Sequence, residues 1–339
     1  MAVVVAAEEL IRIGSSLFEA AGTPPDIALL VASSLVDGNL AGHDSHGVVR
    51  IVPYLEQIAE GIVLPAERPQ IVREGPAAVM VDGRFGFGQL AARFSTELAI
   101  ERAKRNQIAA VSVGRCNHIG RLGEWAELGA ANGVVCIVTS CYGSGPYAAA
   151  PFGGAKRALS TNPFSFAAPI GEGRALVDFA TTVIAEGKVR VARSKGEQLP
   201  PGAILDSAGR PSTSPEDYYG GGMLLPFAGH KGYGLAVMVE LLSVALGGAD
   251  ELDPARAQGS LFICIDSGAF RDSGGYQAAA ERFRDRMLDS PPAQGFSEVM
   301  LPGEPEQRAR QARRAAGVPV PEATWEGLQQ AAKERGVSI

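Results

Sequence analysis

Apolar residues recur at helical spacing at both ends of this chain, while its middle mixes short apolar runs with further helical stretches. That division constrains the fold more than any other feature. In the first 60 residues, Leu10, Ile11, Leu17 and Phe18 share one helix face. Pro25 and Asp26 open a second helix that Gly42 ends. Val48, Ile51, Val52, Leu55 and Ile58 predict a third, from Gly47 to about Glu60. In the middle, residues 77–81, 108–113, 134–139, 164–168, 175–179 and 261–266 read as strands. Helices are expected over 89–104, 122–131 and 233–246, and in the tail over 276–288, 304–316 and 321–335. Residues 195–226 are rich in Gly, Pro and Ser and read as turns and connections. There is no internal repeat. This pattern implies an α/β protein of two domains. Residues 1–75 and 300–339 form a helical domain from both chain ends, and residues 76–299 form a mixed-sheet domain.

Composition narrows the function classes. Apolar residues make up 46% and charged residues 20%, which supports a packed core rather than disorder. The net charge is −6, no Lys/Arg-rich run offsets it, and aromatics are only 6%, which argues against a nucleic-acid partner. The uncharged residues 133–155 are broken by glycines and by Pro146 and Pro151, so they read as strand and loop, not as a membrane span. The chain start lacks a basic stretch, and Glu8 and Glu9 interrupt it, unlike a secretory signal. Cys116, Cys136, Cys141 and Cys264 form no CxxC pair. Reduced thiols in the cytoplasm are therefore expected.

The chemistry points to histidine. The four histidines, His43, His46, His118 and His230, all lie in polar segments beside glycine: GHDSHG, CNHIGRLG and GHKGYG. Imidazole titrates near neutral pH and can transfer a proton or bind a metal. Asp44 or Ser45 suits a helix N-cap, which would put His46 at the start of the third helix. Arg50, Tyr54 and Gln57 would then continue one polar stripe opposite the apolar face. A guanidinium fork, a phenol and a proton donor on one stripe suit a small carboxylate. Gly86-x-Gly88-x-x-Ala91 matches a dinucleotide fingerprint, but the strand at 108–113 does not end in the acidic residue that a ribose would need. It reads better as a glycine-rich turn. Lys231, in the glycine-rich segment before a long helix, could hold a phosphate with the backbone amides there. Polar turns at Ser160–Phe164 and Asp178–Thr182 complete the candidate set. A zinc or iron site on His43, His46, Asp44 and His118 is the competing reading.

Taken together and in order, AGHDSHGVVR with Tyr54, NHIGRLGEWAE, APFGG, STNPFSF, VDFATT with IAEGKV, GGGMLLPFAGHKGYGL and LPGE resemble the malate/L-lactate dehydrogenase family. This family is unrelated in fold to the Rossmann lactate dehydrogenases. It includes malate, L-lactate, sulfolactate, ureidoglycolate and hydroxycarboxylate dehydrogenases, as well as cyclic-imine carboxylate reductases. The resemblance implies a non-Rossmann α/β fold and a homodimer or dimer-based oligomer. It further implies a small carboxylate substrate bound between domains and an NAD or NADP cofactor on the middle domain, with NAD favoured. By motif match, His46 is the proton donor/acceptor, Ser45 supports it, and His118 matches a second catalytic histidine. Arg50 clamps the substrate carboxylate, with Tyr54 and Thr161 beside the substrate. Ile119, Gly120, Arg121, Leu122, Gly123, Asp178, Phe179, Ala180, Thr181, Thr182, His230 and Lys231 line the cofactor, joined by Gly303 and Glu304. No metal is expected, because the match already accounts for the histidines.

One position departs from part of the family. The cyclic-imine reductase branch carries an aspartate in a Ser–His–Asp relay where this chain has Lys188. The GK pair and IGRLGEWAE are like the hydroxy-acid branches. Arg50 and LPPGAILDSAGRPSTSPED are like the imine branch. A 2-hydroxy/2-oxo acid is the expected substrate, with NADPH-dependent reduction of a cyclic imine carboxylate as the alternative.

Overall fold

The structure, a computed structural model, describes residues 2–253 and 258–339. The amino-terminal strand β1 (Ala2–Val5) leads into α1 (Ala7–Ala20) and α2 (Pro25–Leu40). On α1, Leu10, Ile13, Leu17 and Phe18 return every three or four residues to one face, and all are buried. The third helix departs from expectation. Residues Asp44–His46 and Val48–Arg50 form two 3-10 turns, and α3 spans only Ile51–Ala59. Gly47 between the turns is extended, which interrupts the helical run.

The middle of the chain alternates as expected, with additions. Strands β2 (Gln70–Glu74) and β3 (Ala78–Asp82) precede α4 (Gly88–Asn106) and β4 (Ile108–Gly114). Then come α5 (Leu122–Ala131), β5 (Val134–Tyr142), β6 (Phe164–Ile170), β7 (Gly173–Phe179) and α6 (Glu186–Lys195). The turn-rich stretch holds a small sheet of β8 (Ile204–Leu205), β9 (Pro211–Ser212) and β10 (Met223–Leu224), with α7 (Pro215–Tyr219) between. Helix α8 (His230–Glu240) runs into a π-helical turn, Leu241–Leu246, followed by α9 (Ala249–Leu252) and β11 (Gln258–Asp266). The tail is α10 (Ser273–Leu288), α11 (Glu304–Ala316), β12 (Val318–Pro321) and α12 (Glu322–Arg335).

Seven strands form one sheet in the order β2-β3-β4-β11-β5-β6-β7. Only β3 and β4 pair in parallel; every other neighbour is antiparallel. The sheet is therefore mixed, as the family resemblance implies, and not a doubly wound parallel sheet. Its inner face carries Val81, Val111, Val113, Val138 and Phe262 against Ala92, Ala99 and Ala103 of α4 and Trp125 of α5. The alanines let α4 lie close to the strands.

A second core joins the chain ends. β1 pairs with β12, Val3 opposite Val320. Leu10, Phe18, Leu35, Ile51 and Leu55 pack with Val318, Val320 and Leu328. Each of these large side chains contributes about 1.5–3 kcal/mol by leaving water. A third cluster, with Val189, Ile204 and Leu224, fills the space under α6 and α8. Among the described residues, no helix is long and apolar enough to cross a membrane. All four cysteines are free and buried.

Candidate active site

The turn that carries His46 is built from behind. Asn39, near the end of α2, accepts from the Val48 amide at 2.8 Å through its side-chain oxygen and donates to Asp44 at 2.7 Å. Only glycine fits at position 47, because a Cβ there would stand 2.2 Å from the Asn39 side-chain oxygen. Asp44 does not cap a helix as expected. Its carboxylate is taken by Asn39 and by Arg313 of α11 at 2.6 Å. His43 turns away from His46 to face Glu306 of α11 at 3.5 Å. The Ser45 hydroxyl lies 3.1 Å from His46 Nδ1, and Arg50 Nε donates to the Ser45 carbonyl at 2.8 Å. Helix α6 begins against the same turn: a Cβ at Gly187 would stand 3.0 Å from that of Ser45. Lys188 follows directly.

His118 arrives from the far side, on the loop after β4. That loop passes over the start of α4, where a Cβ at Gly88 would meet the Asn117 and His118 carbonyl oxygens at 2.2 and 2.3 Å. The glycine of the apparent fingerprint is thus a close-packing position under His118, in keeping with its reading as a turn. Asn117 donates to the Phe85 and Gly86 carbonyls at 2.8 and 2.9 Å, which ties the loop down. The His46 and His118 rings stack with centroids 5.4 Å apart and planes 20° apart.

The expected polar stripe is not one surface. Tyr54 is buried in the chain-end core. Its hydroxyl lies 2.6 Å from His118 Nδ1 and accepts from Gln89 Nε2 at 2.9 Å. A 3-10 turn advances about 120° per residue against about 100° in an α-helix, and Gly47 between the two turns is extended, so residues 46, 50 and 54 do not line up as a straight stripe. Gln89 and Tyr142 escape sequence reasoning. The former looks like one more residue of a helix start. The latter ends a strand, and nothing local marks it as facing Arg50.

Electrostatics single out Arg50. Burial and the nearby Arg50 charge lower His46 to about 3 and hold His118 well below its ordinary value. Burial raises the Tyr142 phenol to about 12 and raises Tyr54 also, with Arg50 opposing both. Burial likewise raises the Cys116 thiol to about 12. The site is thus two neutral imidazoles and two neutral phenols around one guanidinium. Among the described residues, no carboxylate pairs with Arg50, and no group of three or more His, Cys, Asp or Glu is placed to hold a metal ion.

The remaining predicted residues fall at the start of α5, on the loops before β6 and after β7, at the start of α8 and at the turn before α11. Trp125 Nε1 donates to the Ile119 carbonyl at 2.9 Å, and Leu122 is buried at the start of α5. Gly120 adopts a positive φ of 79°. The Gly123 amide donates to Asp178 at 2.8 Å, and Asp178 also faces Arg121 at 3.9 Å. Arg121 is fully buried, with Glu127 and Asp37 as its other partners. Phe179 is exposed with its ring on the edge of Phe227, and Ala180 is half-buried. The Thr161 carbonyl accepts from both the amide and the hydroxyl of Thr181 at 3.0 Å. Thr182 bonds the Ile184 carbonyl at 2.7 Å. Phe227 donates its amide to Thr181 at 3.0 Å, which joins this loop to the start of α8. There His230 and Lys231 are exposed, His230 against the edge of Phe152. Gly303 and Glu304 sit beside β7, where the Leu176 amide donates to Pro302 at 2.9 Å.

Comparison with known proteins agrees with the fold and the motifs. A family model described as malate/L-lactate dehydrogenase matches residues 5–329. Hydroxycarboxylate dehydrogenase B of Escherichia coli O157:H7 is 36% identical over 332 residues, covering 95% of this chain and 91% of that protein. The solved structure of sulfolactate dehydrogenase from Methanocaldococcus jannaschii superposes with a TM-score of 0.90 at 31% identity, covering 99% of this chain and 98% of that one. That of delta1-piperideine-2-carboxylate reductase from Pseudomonas syringae pvar. tomato gives 0.84 at 31% identity, covering 97% and 100%. With one family spanning residues 5–329 of the sequence and the mixed-sheet fold alike, this chain belongs to the malate/L-lactate dehydrogenase family and is an oxidoreductase.

Proposed function

We propose that this protein interconverts a small 2-hydroxy acid and the corresponding 2-oxo acid, using a nicotinamide dinucleotide. The observation that carries the reading is the stacked His46–His118 pair beside Arg50, a half-buried cation with no carboxylate of its own among the described residues. Arg50 binds the substrate carboxylate, with Thr161 alongside. His46 gives its proton to the carbonyl oxygen as hydride reaches the carbon, and takes it back from the hydroxyl in the opposite direction. Ser45 keeps the His46 ring oriented. In the free site His46 is neutral through burial and the Arg50 charge. An incoming carboxylate offsets that charge and lifts His46 back toward its ordinary range, so proton carriage is tied to substrate binding.

When bound, the nicotinamide supplies or accepts the hydride. Residues 119–123 and 178–182, with His230, Lys231, Gly303 and Glu304, would hold the dinucleotide. The start of α8 fits that role, because the N-cap Gly229 has no side chain to close the first turn and Lys231 stands exposed beside it. NAD is favoured over NADP by the likeness of these segments to the hydroxy-acid branches. In this reading, residues 1–75 and 300–339 form the substrate side and residues 76–299 the cofactor side. The working unit is a homodimer or a dimer-based oligomer in the cytoplasm.

Loss of NADH and NADPH absorbance against pyruvate, oxaloacetate, 2-oxoglutarate, phenylpyruvate and oxopantoate tests the proposal. Turnover of an open-chain oxo acid supports it and identifies the cofactor. Likeness to the piperideine carboxylate reductase favours a second reading, reduction of a cyclic imine carboxylate with NADPH. Lys188, next after the Gly187 that packs on Ser45, counts against it, since it stands where the Ser–His–Asp relay of the imine branch has its aspartate. Turnover of piperideine- or pyrroline-2-carboxylate alone would make the second reading the correct one.

A further inference from the structure

The proton transfer above leaves Gln89 and the Tyr54 hydroxyl without a task, yet both are buried against His118. Their hydrogen bonds can be counted. Gln89 Nε2 donates to the Tyr54 oxygen at 2.9 Å. A phenol has one hydrogen, and with its oxygen already accepting, that hydrogen points to the other close acceptor, His118 Nδ1 at 2.6 Å. A nitrogen that accepts carries no proton. Burial and the positive charge of Arg50 keep His118 neutral, so its single proton is on Nε2. The reverse amide orientation would invert this chain, but it would strand both Gln89 N–H groups. The present one strands the Gln89 carbonyl oxygen and a single N–H, one unpaired donor fewer among the described residues. Buried carbonyls without partners are the more common of the two in folded proteins.

We propose that Gln89 and Tyr54 are positioning residues that fix His118 as its Nε2–H tautomer, so that His118 acts as a neutral hydrogen-bond donor to the reacting oxygen while His46 alone carries the proton. The proposal rests on the hydroxy-acid reading for its kinetic part only. The two stacked rings differ in what faces Nδ1. His46 meets the Ser45 hydroxyl, which can donate or accept, so both protonation states are open to it. His118 meets a phenol whose hydrogen is already directed at it. A fixed donor strengthens as negative charge grows on the substrate oxygen and needs no rearrangement when it does.

Histidine-selective nitrogen-15 NMR of the full-length protein reads the tautomer directly. With four histidines in the chain, a His118→Gln variant assigns the signal. The expected result is a neutral His118 with its proton on Nε2 at neutral pH, converting to a tautomer mixture in Tyr54→Phe. A proton on Nδ1, or an imidazolium, overturns the proposal. In kinetics, Tyr54→Phe and Gln89→Met should each lower kcat about tenfold, less than the loss of a direct oxyanion donor. KM and NADH affinity should stay within about twofold. A raised KM with kcat intact would instead make Tyr54 a substrate ligand and overturn the proposal. If no acid is turned over at all, the functional reading falls, and the wild-type NMR state of His118 still decides the tautomer.

Discussion

Two half-buried polar clusters lie along the loop after β4, and they handle charge in opposite ways. Around His118, the site holds one guanidinium, Arg50, with neutral imidazoles and phenols about it. Three residues along the loop, Arg121 enters a network that supplies its own anions. Arg310 reaches Asp37 at 2.8 Å and Glu127 at 2.7 Å, and Arg174 reaches Glu127 at 3.0 Å. Burial pushes Glu127 up, but Arg310, Arg121 and Arg174 together hold it down at about 2. The network ties α2, α5, β7 and α11 together, and with Asp178 facing Arg121 at 3.9 Å it sets three carboxylates against three guanidiniums and is complete in charge. The histidine site is incomplete, and a substrate carboxylate would complete it. Completeness marks a structural cluster, and a missing anion marks a binding one.

The contrast breaks first at His46. His46→Ala should cut kcat by about 100- to 10,000-fold, the usual worth of a general acid–base group, while NADH binding measured by fluorescence titration stays nearly intact. A collapse of NADH affinity would place His46 in the cofactor site. The opposite signature is expected at Glu127. Glu127→Gln leaves three guanidiniums short of a buried partner, and a broken buried pair costs about 3–5 kcal/mol. Urea unfolding should show that loss, with KM for substrate little changed in the folded fraction. Unchanged stability would mean that the network does not hold these elements together.

Arg50→Lys sharpens the comparison further. Lysine keeps the charge but cannot form the bidentate fork, so KM for a carboxylate substrate should rise about tenfold or more. Stability should scarcely move, since among the described residues Arg50 bonds only the Ser45 carbonyl, at 2.8 Å. An unchanged KM would remove Arg50 from the substrate clamp.

Helices that read their own pattern were legible in the sequence. α5 and α11 begin and end where periodicity puts them, at Leu122–Ala131 and Glu304–Ala316. β2 was not, because all its residues are exposed and its apolar signal is weak. β1 and β12 pair across the whole chain length, a relation that no local window contains. The candidate site divides the same way. His46, Arg50 and His118 announce themselves by residue type beside glycine. The break at residues 44–50 comes from Asn39, which claims the Val48 amide from outside the segment. Tyr54 reads as a polar-face residue because its partners, Gln89 and His118, lie 35 and 64 residues away. Which cluster a given arginine joins is likewise a tertiary fact: Arg121 sits in a motif that reads as cofactor-binding, yet its charge is met by buried carboxylates.

An effect confined to part of the pH range tests the boundary between the clusters. Glu124 lies on α5 between them and receives the Ser34 hydroxyl at 2.6 Å. Burial and the nearby Asp37 charge raise its carboxyl to about 7, with Ser34 and Arg121 opposing. A carboxyl raised on folding binds its proton more tightly in the folded chain. Its contribution is therefore fully present below the unfolded value, near pH 4.5, and is lost as pH rises through about 7. Glu124→Gln keeps the shape and an acceptor for Ser34 but cannot ionise. The variant and the wild type should melt together at about pH 5, and the variant should melt higher at about pH 8. The histidines work in the opposite sense. His46 and His118 are lowered on folding, so their contribution is present above about 6.5 and declines in acid for both proteins alike. Subtracting one melting profile from the other isolates Glu124. A difference that grows toward acid would mean that Glu124 is held charged, as part of the complete network rather than at its edge.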